Sequence, residues 1–273
     1  MLYIIATPIG NLEDISFRAI GTLKSVDVIL AEDTRHSKKL LSHYGISTPV
    51  QSLHEHNEAK KTVDLVDSLL SGRSMALISD AGTPLISDPG YVLVREAKKA
   101  GVEVSPIPGP SALISAISAS GIASDSFTFY GFLPSKQGAR VKAIRAISHS
   151  KETVIFYESP KRILASALDL RSVLGDDRVV CFAKELTKSF ETIITATLPD
   201  IVDYLQSQQD HQRGEFVVLI SAIDKNSKVN GEEQLDKILP ILLSEMGASK
   251  ASKIAAKITG IDKKYCYQRA IDL

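Results

Sequence analysis

The sequence predicts an α/β protein: one domain on a mostly parallel sheet, a second domain of mixed strands, and a small helical tail. Three observations carry that prediction. Short apolar runs of strand length alternate with helix-length segments through the first hundred or so residues, which is how parallel strands with crossover helices appear in a sequence. The same alternation restarts after a seam of small and polar residues, SASGIASDS at 118–126. From residue 231 onward the pattern is helical.

In the first series the strands read LYIIA (2–6), VDVILA (26–31), PVQSL (49–53), MALIS (75–79) and VEVSPI (102–107). The segments between them carry helix start and stop signals: Ser16 caps one helix, Thr34 is expected to cap the next, Gly45 stops it, and Gly101 closes another. The second series reads FTFYGF (127–132), TVIFYE (153–158), RVVCFAK (178–184), ETIITA (191–196) and EFVVLIS (215–221). Helices fill its first two gaps, and the short LTKSF turn between the third and fourth strands predicts a hairpin. The polar stretch AIDKNSKVNGEEQ then leads to helical patterns around LDKILPILLSEMG, KASKIAAKITG and DKKYCYQRAI. The expected domains are 1–120, 121–223 and 231–273, with a linker over 224–230.

Composition narrows the function classes. The 273 residues are 44% hydrophobic and 23% charged, which excludes disordered, collagenous and coiled-coil chains. A formal charge of zero provides no whole-molecule field for polyanions, so any nucleic-acid contact must use a local basic patch. Cys181 and Cys266 stand far apart without metal-ligand spacing, so neither a disulfide framework nor a zinc site is expected. The N-terminus lacks the basic and long apolar regions of a signal peptide, and no apolar run is long enough to span a bilayer. A cytoplasmic protein without a membrane partner is expected.

Ligands of open α/β sheets bind beyond the carboxyl ends of the strands. There this chain places TPIGN (7–11), DAGTPLISDPG (80–90) and PIPGPSA (106–112). Glycine allows close approach of backbone to a ligand and proline stiffens the loop, although βα turns use both residues for turn geometry alone. There is no GxxxxGK[ST] and no GxGxxG after the first strand, so neither a nucleoside-triphosphate cradle nor an ordinary dinucleotide site is indicated. Asp80 and Asp88 would repel a triphosphate but accept a cation or a ribose hydroxyl.

These motifs, with AEDTR, HEHN, FYGFLP, FYESP, KELTK and GEFVVLI in order along nearly the whole chain, resemble the RsmI family of 16S ribosomal RNA ribose methyltransferases, in the tetrapyrrole-methylase class. The resemblance implies two α/β domains with S-adenosylmethionine in the cleft between them, in a homodimer. It implies 2′-O-methylation of a cytidine in the decoding region of 16S ribosomal RNA, within the small (30S) subunit. It places cofactor contacts at Pro8, Asp80, Gly82, Thr83, Pro84, Ser111 and Ala112, and at Tyr157, Glu158, Gly214, Glu215 and Phe216. The chain departs from the family pattern at Lys161, Lys184 and Ser135, where histidine, arginine and arginine are common, which bears on RNA contacts more than on methyl transfer.

Methyl transfer to a hydroxyl needs alignment, exclusion of water and a group to take the proton, and no metal. Glu32, Asp33 and Arg35 follow the second strand on the functional edge and are the candidate catalytic residues, Asp33 first as base. Arg35 is open to two readings, ribose-phosphate orientation or an internal salt bridge. His54 and His56 lack a third metal ligand nearby and read as RNA-facing or loop-capping. RNA contacts are expected from Lys250, Lys253, Lys257, Lys263, Lys264, Tyr265 and Arg269 in the tail. Lys136 and Arg140, in a cationic stretch at 133–145 that reads as a lid over the cleft, are expected to join them. Two other readings keep the fold: a tetrapyrrole or other small-molecule methyltransferase, and a non-catalytic ribosome-binding factor.

Overall fold

All ten expected strands are present in the computed structural model, which describes residues 1–223 and 228–273. The first sheet contains β1 (Leu2–Ile5), β2 (Val28–Ala31), β3 (Val50–Ser52), β4 (Met75–Ile78) and β5 (Val104–Ile107) in the order β3-β2-β4-β1-β5, all parallel. Its crossover helices are α1 (Phe17–Ser25), α2 (Thr34–His43), α3 (Glu55–Leu70) and α4 (Tyr91–Lys99), followed by α5 (Ala112–Ala119). The apolar residues of β2 and β4 are buried on both faces, as a parallel sheet between two helix layers requires.

The second sheet contains β6 (Phe127–Phe132), β7 (Thr153–Glu158), β8 (Val179–Lys184), β9 (Thr192–Thr197) and β10 (Phe216–Ile220) in the order β6-β7-β10-β8-β9. Only β6 and β7 run parallel; β8 and β9 form the expected hairpin. Helices α6 (Gln137–Ile147) and α7 (Ile163–Leu174) fill the first gaps. A further helix, α8 (Leu198–Ser207), occupies the gap before β10, where the sequence reading placed no element. Its signals are a proline in the first turn and buried Leu198, Ile201, Val202 and Leu205 at helical spacing.

Residues 1–222 form one compact unit. The reason lies in α5: Leu113, Ala116 and Ile117 belong to an apolar cluster with Ile155, Cys181, Ala183, Val217 and Leu219 of the second sheet. The last helix of the first series is therefore part of the second sheet's core.

Two expectations about local structure are corrected. Asp33, not Thr34, caps α2, its carboxylate accepting the Arg35 backbone N–H at 2.8 Å. The stretch 133–145 is no lid: α6 buries Ile144 and Ile147 in the core, and Arg140 is buried with them. The Arg140 guanidinium meets Asp169 of α7 at 2.7 Å, both side chains under a tenth exposed, so it cannot reach RNA. Arg140→Ala strands Asp169 as a buried charge and should cost about 3–5 kcal/mol of stability, read by urea unfolding, while Arg140→Met with Asp169→Leu should recover most of it.

Residues 223–273 form a second compact unit. Helices α9 (Lys228–Glu245), α10 (Ala248–Thr259) and α11 (Lys263–Ile271) enclose a small core of Leu235, Leu239, Ala251, Ala255, Cys266 and Ala270. Of the expected linker, 224–227 lie outside the described residues and 228–230 are already helical. Gly260 ends α10 in the left-handed conformation, and Asp262 caps α11 by accepting the Lys264 and Tyr265 N–H groups. Both cysteines are buried free thiols. No helix among the described residues is long and apolar enough to cross a membrane.

Candidate active site

Strand register gathers the sequence motifs on one edge. Ala31 pairs with Ser52 and with Ile78, and Ile5 pairs with Ile78 and Ile107. The residues that follow each strand, among them Thr7, Glu32, His54, Asp80 and Gly109, therefore leave the sheet at the same level. The loops are then knitted to one another. Thr7 and Gly82 exchange two backbone hydrogen bonds of 2.9 Å, and the Thr83 hydroxyl donates to the Pro110 carbonyl at 3.1 Å.

Above that edge lies a cavity of about 400 Å³ with walls from both sheets. Gly82, Thr83, Asp88, Ser111 and Ala112 line it from the first series, and Phe132, Tyr157, Glu215 and Phe216 from the second. Tyr157 is fixed by edge-on contacts with Phe129 and Phe132, at centroid distances of 4.9 and 5.6 Å. The wall between Gly82 and Gly90 is an unusual piece of backbone: Leu85 (φ 73°) and Ser87 (φ 68°) both occupy the left-handed region. Such residues cost about 1–3 kcal/mol each and persist where surrounding structure imposes them. Gly90 (φ 124°) makes room for this loop, because a side chain there would place Cβ 2.5 Å from Leu77 Cδ2 and 3.0 Å from Leu85 Cδ1.

Eight of the twelve expected cofactor residues line the cavity, and four do not. Pro8 and Pro84 are buried. Asp80 accepts the Asp33 backbone N–H at 3.1 Å. Gly214 borders a neighbouring, smaller cavity with Lys184 and Arg213. Glu158 lines the main cavity, but its carboxylate is committed: it accepts from Ser159 N (2.7 Å), Ser166 Oγ (2.6 Å) and the Arg162 guanidinium (2.7 Å). Three of its roughly four acceptor sites are taken by the protein, so it chiefly shapes the wall. The sequence reading missed Ile9, Ser87, Phe132 and Leu186 as lining residues, although each sits in a motif it quoted.

The expected catalytic trio separates. Arg35 is 90% exposed in its side chain and turns back onto Asp33 at 2.8 Å, so of its two readings the salt bridge is the one found. Arg35, through its side chain and then its backbone N–H, holds the Asp33 carboxyl well below the usual carboxylate range. Asp33 thus serves as the cap of α2, its carboxylate engaged by Arg35. Glu32 behaves oppositely: burial, and then the charge of Asp80, push its carboxyl up. His54 folds back as a loop cap. Asn57 Oδ1 accepts its backbone N–H at 2.9 Å and Asn57 Nδ2 lies 3.0 Å from its Nε2, while Nδ1 is buried without a partner. His56 is exposed.

Among the cationic residues expected to meet RNA, Lys136 and tail residues Lys250, Lys253, Lys257, Lys263 and Lys264 are exposed. Tyr265 and Tyr267 are roughly half exposed, at 46% and 42%. Arg269 forms a two-pronged ion pair with Asp236 at 3.0 and 3.2 Å, so its guanidinium is engaged within the tail.

Paired α/β sheets with a walled cavity between them define the class of this protein, the tetrapyrrole (corrin/porphyrin) methylases, whose family model matches residues 1–202. Solved structures agree on the fold. The methyltransferase CobJ superposes with a TM-score of 0.60 at 16% identity, covering 81% of this chain and 93% of its own. Diphthine synthase gives 0.60 at 14%, covering 81% and 89%.

Within that class the chain belongs to the ribosomal RNA small subunit methyltransferase I (RsmI) family. The Pseudomonas aeruginosa member is 47% identical over 272 residues, 99% of this chain and 96% of that one. The Vibrio cholerae member is 48% identical over 276 residues, 100% and 94%. The model of the RsmI C-terminal HTH domain matches residues 229–273.

Proposed function

We propose that this protein transfers a methyl group from S-adenosylmethionine to the ribose 2′-hydroxyl of a cytidine in the decoding region of 16S ribosomal RNA. The substrate is the RNA within the 30S subunit, and the enzyme works in the cytoplasm as a homodimer. The observation that carries the reading is the cavity between the two sheets, in a chain nearly half identical to ribosomal RNA small subunit methyltransferases.

The cavity suits the cofactor. Its volume of about 400 Å³ lies in the range of small-molecule sites, and Ile9, Ala112, Phe132 and Leu186 give apolar walls for a purine. Gly82, Thr83, Ser111, Ala112 and Phe216 would hold the cofactor largely through backbone groups. When bound, S-adenosylmethionine supplies an electrophilic methyl group on a sulfonium. The protein's work is then to align the acceptor hydroxyl, keep water out and receive a proton. Glu32 stays at the acceptor edge, whereas Asp33 and Arg35 hold the start of α2.

The two domains 1–120 and 121–223 together carry the chemistry, and the tail 231–273 holds RNA. Lys250, Lys253, Lys257, Lys263 and Lys264 would pair with phosphates, and Tyr265 and Tyr267 would stack on unpaired bases.

The test is incubation of the full chain and methyl-labelled S-adenosylmethionine with undermethylated small subunits, with naked 16S RNA and with a porphyrinogen. Label on a single cytidine ribose of the subunit is expected. Label on the tetrapyrrole, or none on any acceptor while the cofactor binds, would remove the reading.

A further inference from the structure

The acceptor proton still needs a destination in the reading above, on which this inference rests. Asp33 is engaged in capping α2, Glu158 is ion-paired to Arg162 and accepts from two serines, and Asp80 holds the Asp33 N–H. Glu215, from the second sheet, lines the cavity but is held by Lys188 at 2.8 Å, which leaves Glu32 after β2 and Asp88 in the loop after β4 for the argument. Of these, Asp88 lines the cavity and Glu32 does not.

We infer that Asp88 is the catalytic group that receives the hydroxyl proton, and that Glu32 is a positioning residue that acts through it. The hydroxyl oxygen forms its bond to the methyl carbon as the carbon–sulfur bond breaks, and that bond's electron pair leaves on sulfur, which becomes a neutral thioether. The hydroxyl proton passes to an Asp88 carboxylate oxygen, and the neutral acid later releases it to water. Atoms and charge balance with no other reactant.

The surroundings of Asp88 fit this role. Burial first, and then the charges of Glu32 and Asp80, push its carboxyl up to about 6, against a hydrogen bond with Ser79 that pulls it down. From β7, Tyr157 faces it, the phenol itself raised chiefly by burial and further by the charge on Asp88. His54, beyond Glu32 at the end of β3, pulls the carboxyl of that neighbour back down against its burial. Asp88 is thus still ionised at neutral pH yet more basic than a solvated aspartate, as a proton acceptor needs to be. The left-handed Ser87 before it and Gly90 after it fix the backbone that presents it.

Two variants of the full chain test the inference. Asp88→Asn should lower kcat on small subunits by about 10²- to 10⁴-fold, while the S-adenosylmethionine Kd from calorimetry stays within about threefold. Glu32→Gln keeps the acceptor but removes a like charge. The Asp88 titration, followed by carboxyl-carbon NMR in the ligand-free protein, should then move to lower pH by a few tenths of a unit or more. The acidic limb of kcat should move with it by the same amount, since activity is lost as Asp88 protonates. Asp88→Asn that binds cofactor and still turns over would overturn the assignment. So would an acidic limb that stays in place while the NMR midpoint moves. A wild-type protein that neither binds cofactor nor methylates RNA would instead overturn the functional reading, and the assignment with it.

Discussion

Glu158→Leu should unfold the 1–222 unit about 10 °C below the wild type, a loss on the order of 3–5 kcal/mol. The Glu158 side chain is fully buried at the end of β7, and three donors converge on it. Removing it leaves the Ser166 hydroxyl and the Ser159 N–H without their acceptor, and takes the counter-charge from Arg162, whose side chain is only 22% exposed and keeps only the Leu133 carbonyl and Ser159 Oγ. Unsatisfied buried groups cost about 1–3 kcal/mol each, more when charged. Glu158→Gln keeps one acceptor oxygen, for the Ser159 N–H, and presents an amide N–H to the Ser166 hydroxyl oxygen while losing the ion pair, so it should fall between. Differential scanning fluorimetry at neutral pH orders the three proteins, and a Glu158→Leu protein as stable as the wild type would refute the structural role.

Gly214→Val should weaken S-adenosylmethionine binding by about a hundredfold while the rest of the fold survives. Gly214 sits at φ 92°, and a Cβ there would fall 2.6 Å from Glu185 Cδ. Glu185 cannot yield, because it is itself in the left-handed region and its Oε1 accepts both the Glu215 N–H (2.9 Å) and Lys188 Nζ (2.8 Å). Lys188 also grips Glu215 Oε2 at 2.8 Å. Displacing this clasp drags Glu215 and Phe216, which line the cavity, although Gly214 does not. Calorimetry reads the affinity, and an unchanged Kd would mean that this loop is no part of the binding wall.

Much of the fold was legible because strand identity rests on local pattern, and the ten strands stand out as short runs of strand length. Helix α8 escaped because its apolar positions follow directly on β9 with no breaker between them, so a period of two runs into one of 3.6. The site was legible at the level of loops: glycine and proline mark DAGTP and PIPGPS wherever the strands end. Individual roles were less so. Nothing in AEDTR distinguishes a carboxylate that caps a helix from one left beside other acids at the sheet edge; strand register and helix start decide that Asp33 does the first and Glu32 the second. Arg140 reads as surface cation because its partner Asp169 lies 29 residues away on another helix. Charge patterns report composition of a face only after the face is known.

The contribution of α5 to the second sheet's interior bears on how this polypeptide can be divided. A fragment ending after α5 would present Leu113 and Ile117 to water, and a fragment beginning at β6 would uncover the face of its own sheet around Val217 and Leu219. Neither half is a self-sufficient building block, so split-protein complementation at the seam would require both pieces to be made together, each serving as the other's chaperone.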